Sequence, residues 1–344
     1  MTIFFNKKLH SDELFTANAR TAFKIGLVSI GIEQGQVILI PEFICNSLLH
    51  PIIELNLIPV FYPINIDFSP RWEWLERYVA ESKCVAIIMV HYFGQPQNIL
   101  LFESFCKRHS LYLLEDNAHG YSGRYLNRLL GSFGDVGISS PRKFLSIPSG
   151  GILHRPNNIA INLEKNLESF SRLKVKILLK QILYKFPRLK RYLSGILTRK
   201  VDWNDPYLFQ EKVTPYFKID RYSQKCITTM NWEDLAIQRR RNWSLWSSYV
   251  QERGLSPVFN KPFTDSCPWA MPAFAKNQDE RNAWLAWGSR VSIPLFTWPS
   301  LPDNVIIKSG CALKYWKSLI CFPLDISPTG LNNKDQMRKL HSNE

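Results

Sequence analysis

Two stretches of this chain carry residue types and spacings that suggest chemistry. Residues 113–119 read LLEDNAH, so an apolar run ends on the carboxylates Glu115 and Asp116. Residues 134–151 read GDVGISSPRKFLSIPSGG, which places Lys143 on a loop ahead of Ser149, Gly150 and Gly151. An aspartate at the carboxyl end of a strand and a lysine on a later loop suit pyridoxal 5'-phosphate (PLP). The lysine forms a Schiff base with it and the aspartate keeps its pyridine nitrogen protonated. Taken singly, the carboxylates also suit a strand end or a helix N-cap, and Lys143 a solvated surface position. It is the combination that points to the cofactor.

Hydrophobic periodicity supplies the elements that must position these residues. Apolar residues at helical spacing predict helices over 21–32, 47–55 and 99–109. Strands are expected at 36–41, 58–64, 84–91 and 111–115, with two short ones at 136–139 and 151–154. Strands separated by helix-sized segments predict an α/β architecture with a mostly parallel sheet covered on both faces. Ligands of such sheets bind beyond the carboxyl ends of the strands, here near Pro41, His91, Asp116 and Ser139. Past residue 215 the pattern changes. A helix over 234–250 carries a basic patch at Arg239, Arg240 and Arg241, and a Pro- and Trp-rich stretch follows it. Helices over 279–291 and 312–319 and a last strand at 321–323 complete a smaller α+β domain. The boundaries expected are 1–215 for a large domain and 216–344 for a small one, with the residues after Gly330 frayed.

The chain has 344 residues, which at about 150 residues per domain agrees with two domains. With 45% hydrophobic and 21% charged residues it is globular rather than disordered. Lys and Arg number 43 against 29 Asp and Glu, a formal net charge of +14 that favours an anionic partner. Seven cysteines, an odd number with no CxxC pair, fit free thiols in a reducing compartment better than a disulfide framework or a zinc site. No metal site is expected. The N-terminal residues lack the pattern of a signal peptide, and the most apolar stretch, 84–93, is too short to span a bilayer. The expected location is cytoplasmic. Much of the positive charge lies in 162–200, where apolar residues recur at helical spacing and Pro187 divides two helices. That segment reads as a basic, solvated helical insertion or as a helix pair touching anionic membrane lipid. Nucleic acid is not the expected partner, because no recognised binding motif accompanies the charge.

Read in order, the motifs resemble the DegT/DnrJ/StrS sugar aminotransferases, PLP enzymes of fold type I. The resemblance runs through NARTAFKIGLVSIGIEQGQVILIPEF, NLIPVFYPINID, VHYFGQP, EDNAH, GSFGDVG, KFLSIPSGG and IQRRRNW. Each motif alone is weak, but their order is specific. The resemblance implies a large domain with a mostly parallel seven-stranded sheet and a smaller C-terminal α+β domain. It implies that Lys143 is the Schiff-base lysine and the base that moves a proton, and that Asp116 pairs with the pyridine nitrogen. His119 is placed near the cofactor ring. Ala19, Arg20 and Thr21 match a phosphate-binding turn at a helix N-terminus, with Ser139 or Ser140 adding a hydroxyl. Cys45 stands where the family often has a stacking aromatic, and His91 is expected to support the sheet end.

The chain also departs from the family. Ser149 replaces the glutamate before the paired glycines, and Arg20 stands where a threonine is usual. Residues 215–217 (PYF) offer no match to the partner-subunit asparagine that often reaches the phosphate. The activity implied is transamination of a keto group on a nucleotide-linked sugar, with glutamate as amino donor, by a homodimer in polysaccharide or natural-product synthesis. A related dehydratase branch has histidine in place of the lysine, which Lys143 argues against. A noncatalytic or membrane-associated protein retaining the fold is the alternative from another class, and a PLP enzyme acting on another substrate is a further one.

Overall fold

The computed structural model describes residues 13–168, 204–205, 216–329 and 331. Of the segment 162–200, residues 169–200, Pro187 among them, lie outside the described residues, as do those expected to fray after Gly330 apart from Leu331. So does Pro215.

The N-terminal part alternates strands and helices in the order β1 (Glu13–Thr16), α1 (Ala19–Ser29), β2 (Val37–Pro41), α2 (Asn46–Glu54), β3 (Ile58–Tyr62), α3 (Trp72–Glu81), β4 (Cys84–Val90), α4 (Ile99–His109) and β5 (Tyr112–Asn117). A two-strand ribbon, β6 (Arg124–Tyr125) and β7 (Arg128–Leu129), precedes β8 (Val136–Ser139), β9 (Gly151–His154) and α5 (Asn158–Lys165). Seven strands form one sheet in the order β1-β9-β8-β5-β4-β2-β3. Pairing is parallel from β3 through β2, β4 and β5 to β8, and antiparallel at β8–β9 and β9–β1. The mostly parallel seven-stranded sheet is therefore as expected. β4 (CVAIIMV) lies inside it, and Ala86, Ile87, Ile88 and Met89 are fully buried there. Strands covered on both faces read as continuous apolar runs, as this one does.

The C-terminal part runs through α6 (Arg221–Thr229), α7 (Trp232–Gln251), β10 (Ser256–Pro257), β11 (Ala270–Phe274), α8 (Gln278–Arg290), α9 (Asp303–Lys308), α10 (Cys311–Ser318) and β12 (Leu319–Pro323). Its three strands form an antiparallel sheet ordered β10-β11-β12. Trp243 and Trp246 of α7 are fully buried, and the Trp246 indole N–H donates to Pro323 O at 3.0 Å and Ile326 O at 2.8 Å. One contiguous hydrophobic core reaches from the large sheet into this one.

The basic patch expected on α7 is corrected by the structure. Arg239 is buried, and its Nη1 donates to the carbonyls of Pro268 (3.3 Å) and Trp269 (3.0 Å). Arg240 Nη1 donates to Ser266 O at 2.6 Å. Two of the three arginines thus tie α7 to the strand approach beside it. All seven cysteines are free thiols. Among the described residues no helix is long and apolar enough to cross a membrane.

Candidate active site

The carboxyl ends of the parallel strands open on one cavity of about 70 Å³. Its floor is set by register: Val90 at the end of β4 pairs with Asp116 of β5, and Asp116 pairs with Ile138 of β8. Asp116 Oδ1 accepts the Ala118 N–H at 2.9 Å. Burial raises its carboxyl pKa above the ordinary value, with the Ala118 bond and the charge of Lys143 acting the other way. Lys143 ends a single 3-10 turn (Pro141–Lys143) that begins directly beyond β8, and its N–H donates to Ser140 O at 3.0 Å. Its side chain lines the same cavity as Asp116, with the ammonium 4.7 Å from the centroid of the Trp269 ring.

A second wall is the start of α1, where Asn18, Ala19 and Arg20 line the cavity. The sequence starts a helix here because Asn18 is a strong N-cap: its Oδ1 accepts the Thr21 N–H at 3.0 Å. Gly151 lets this helix end approach β9, since a Cβ there would lie 2.1 Å from the Asn18 carbonyl carbon. Ser140 and Arg142 line the cavity as well. A helix N-terminus, a guanidinium and a hydroxyl make an anion-binding corner.

Not every expected residue reaches this cavity. Thr21 is buried, with both its N–H and its hydroxyl on Asn18 Oδ1. Ser139 is fully buried; its hydroxyl bonds His154 Nε2 at 2.8 Å and accepts from Asn117 Nδ2 at 3.2 Å. Of the two candidate serines, Ser140 is the one on the cavity. Cys45 lines it, caps α2 and bonds the Ser47 hydroxyl at 2.8 Å. Ser149, in the place of the family glutamate, bonds Asp220 at the start of α6.

His119 also lines the cavity, as a buried ring near-parallel to Trp269 at 4.5 Å, with Trp298 edge-on at 5.3 Å. Its Nδ1 accepts the Phe93 N–H at 3.3 Å. Burial drives its pKa well below the ordinary value, and Lys143 adds to that, so the imidazole is neutral. Phe93 has a left-handed backbone (φ 56°), a costly conformation for a bulky residue. It is held there by this bond and by the Trp269 N–H, which donates to its carbonyl at 3.1 Å.

Behind the floor, Glu115 accepts hydrogen bonds from His91 Nε2 (2.8 Å) and from the N–H groups of Gly131 (2.6 Å), Phe133 (2.6 Å) and Gly134 (2.9 Å). His91 Nδ1 accepts the Gln97 N–H at 3.1 Å. Nε2 therefore carries the proton, and His91 is a neutral donor that supports the sheet end.

Sequence reasoning missed three contributors: Asn18, Trp269 and Trp298. The two tryptophans come from the stretch read only as rich in Pro and Trp. Trp298 lines the cavity, and its buried indole N–H has no acceptor among the described residues. The donor set suits PLP. It offers a primary amine, a carboxylate for a ring nitrogen, a cationic helix start for a phosphate, flat aromatic walls, and one buried N–H without an acceptor.

Comparisons with known proteins bear on the family and the fold. The sequence pattern of the DegT/DnrJ/EryC1/StrS aminotransferase family matches residues 5–180, just over half of the chain. The chain is 28% identical to GDP-perosamine synthase of Vibrio cholerae over 149 residues, which is 42% of this chain and 40% of that protein. The match thus spans less than half of that relative. A Streptococcus pneumoniae protein solved in its PLP form superimposes with a TM-score of 0.64 at 18% identity, covering 92% of this chain and 83% of that one. PseC of Helicobacter pylori, an aminotransferase involved in pseudoaminic acid biosynthesis, gives a TM-score of 0.61 at 17% identity, covering 90% and 81%. These structures show that the fold type I architecture extends over the C-terminal part. Strand order, cavity and sequence pattern converge, and the chain belongs to the DegT/DnrJ/EryC1/StrS aminotransferase family.

Proposed function

We propose that this protein is a PLP-dependent aminotransferase that converts a keto group of a nucleotide-linked sugar to an amine, with glutamate as donor. The observation that carries the reading is the convergence of Lys143 and Asp116 on one cavity beside the α1 N-terminus. When bound, PLP supplies an electron sink for the carbon that gives up a proton. Lys143 Nζ would hold the cofactor covalently and would be the group that moves that proton. Asp116 would hold the pyridine nitrogen, through the oxygen that Ala118 does not engage. Arg20, Ser140 and the first N–H groups of α1 would bind the phosphate. His119, neutral, would pack at the ring, and Trp298 would close the wall against water.

Support for a sugar substrate comes from the names of the relatives. The net charge of +14 is compatible with a diphosphate-bearing one. We read the chain as a large domain, 1–215, and a small one, 216–344, working as a cytoplasmic homodimer. The test is an absorbance spectrum with added PLP for the wild type beside Lys143→Ala, followed by a screen of keto-sugar nucleotides with glutamate. A visible band in the wild type alone, with 2-oxoglutarate released on turnover, supports the reading. No band in either protein overturns it and favours a noncatalytic role.

A further inference from the structure

Lys143 meets an aromatic face that belongs to a distant part of the chain. Trp269 sits just before β11, and its ring centroid is 4.7 Å from the Lys143 ammonium. The same ring lies 4.5 Å from His119, near-parallel at 28°, and 4.9 Å from Phe296. Its backbone is fixed twice: the N–H donates to Phe93 O at 3.1 Å, and the carbonyl accepts from Arg239 Nη1 at 3.0 Å. A ring so held cannot drift away from the amine. Lysine side chains carry several rotamers, so an anchor for a flexible ammonium shortens its search for a reacting atom. An aromatic face attracts a cation and has no comparable attraction for a neutral amine.

We propose that Trp269 is a positioning residue for Lys143, its indole face holding the ammonium at the cavity whenever the amine is not covalently engaged. The role rests on the PLP reading above; the contact itself does not. Several ionisable groups share the space. Asp116 from β5, His119 just beyond it, Arg20 from α1, Cys45 ahead of α2 and Arg142 from the same turn all line the cavity. Asp116 stabilises the ammonium, and Arg20 and Arg142 oppose it. Removing the indole leaves those influences in place and removes one stabiliser of the charged form.

The experiment is competitive labelling of amines across pH, read by mass spectrometry on full-length protein freed of PLP. Lys107, which is exposed, serves as the internal reference in the same digest. In Trp269→Leu the apparent pKa of Lys143 should fall by about half a unit to one unit, a three- to tenfold change in the free-amine fraction. Lys107 should not move. Trp269→Phe keeps a weaker aromatic face and is expected to fall between wild type and Leu. That ordering is one a purely structural role would not produce. Should the Leu variant fail to fold, the Phe variant alone decides, with a measurable drop at Lys143 expected. An unchanged Lys143 pKa in a folded variant overturns the inference, whatever PLP does. A PLP spectrum on the same variants tests the functional reading separately.

Discussion

Glu115→Gln isolates the support behind the candidate active site. The carboxylate has four donors on two oxygens: Oε1 takes His91 Nε2 and the Gly131 N–H, and Oε2 takes the Phe133 and Gly134 N–H groups. An amide has one oxygen and one NH₂ group. Whichever way glutamine is turned, its NH₂ faces two donors, and those two lose their acceptor. Each unsatisfied buried donor costs about 1–3 kcal/mol, so the variant should lose roughly 2–6 kcal/mol. The assay is equilibrium urea unfolding at neutral pH, with the exposed Glu81→Gln as control. The pH dependence adds a second check. Burial alone would raise the Glu115 pKa, but the His91 bond and the backbone N–H groups outweigh it and hold the group below its ordinary value of 4.5. A depressed folded-state pKa means the stabilisation is complete above the unfolded value and is lost as pH falls through the folded one. The gap between wild type and variant should therefore narrow in acid. A loss under about 1 kcal/mol at neutral pH would refute the assignment of Glu115 as the acceptor that fixes the 131–134 turn.

Two further outcomes follow from the same geometry. Asn18→Ala removes the α1 cap and should cost about 1 kcal/mol in unfolding. Because that cap orders the corner proposed to bind phosphate, PLP titration should show weaker binding as well; equal affinity would argue against that role. His154 is buried, and its pKa is lowered from 6.5 to about 4. Its neutral form is the folded one, so stability is full above the unfolded pKa and falls as pH drops towards the folded value. The contribution is about 3 kcal/mol between neutral pH and pH 4. Urea unfolding of His154→Gln at both ends of that range should show a flatter pH dependence than wild type, and parallel curves would refute it.

What could be read from the sequence followed how local the cause was. β4 declares itself through an unbroken apolar run, whereas the α1 start, expected at residue 21, lies at Ala19 behind the Asn18 cap. β1 does not, because its four residues (ELFT) become a strand only by pairing with β9, far along the chain. β11 reads AMPAF, and a proline in the middle of a central strand argues against a strand. Pro272 is tolerated because Cys321, its partner on β12, exchanges its N–H and carbonyl bonds with Phe296 and so needs no N–H from Pro272. Asp116 and Lys143 were legible because a strand end and the turn beyond a neighbouring strand fix them locally. Arg239 misled for the opposite reason. A run of three arginines looks solvated until the tertiary fold supplies carbonyls to receive two of them.

Trp269 and Trp298 were invisible for a reason that bears on how the site is built. Floor and wall come from different segments joined across a seam of hydrogen bonds. The Phe263 N–H donates to Gln95 Oε1 at 2.7 Å, the Arg124 N–H to Asp265 O at 2.8 Å, and the Trp269 N–H to Phe93 O at 3.1 Å. Gly94 permits that approach, since a Cβ there would lie 2.4 Å from the His119 carbonyl oxygen and 2.8 Å from that of Cys267. The floor must meet a fixed chemical demand: an amine, a carboxylate and an anion corner at strand ends. Few residue types satisfy it, so it shows in the sequence. The wall has only to present an apolar, flat surface of the right shape, and many residues can do that. A change at Trp269 or Trp298 should therefore alter how the amine is held, or what enters, while leaving the Asp116 floor intact.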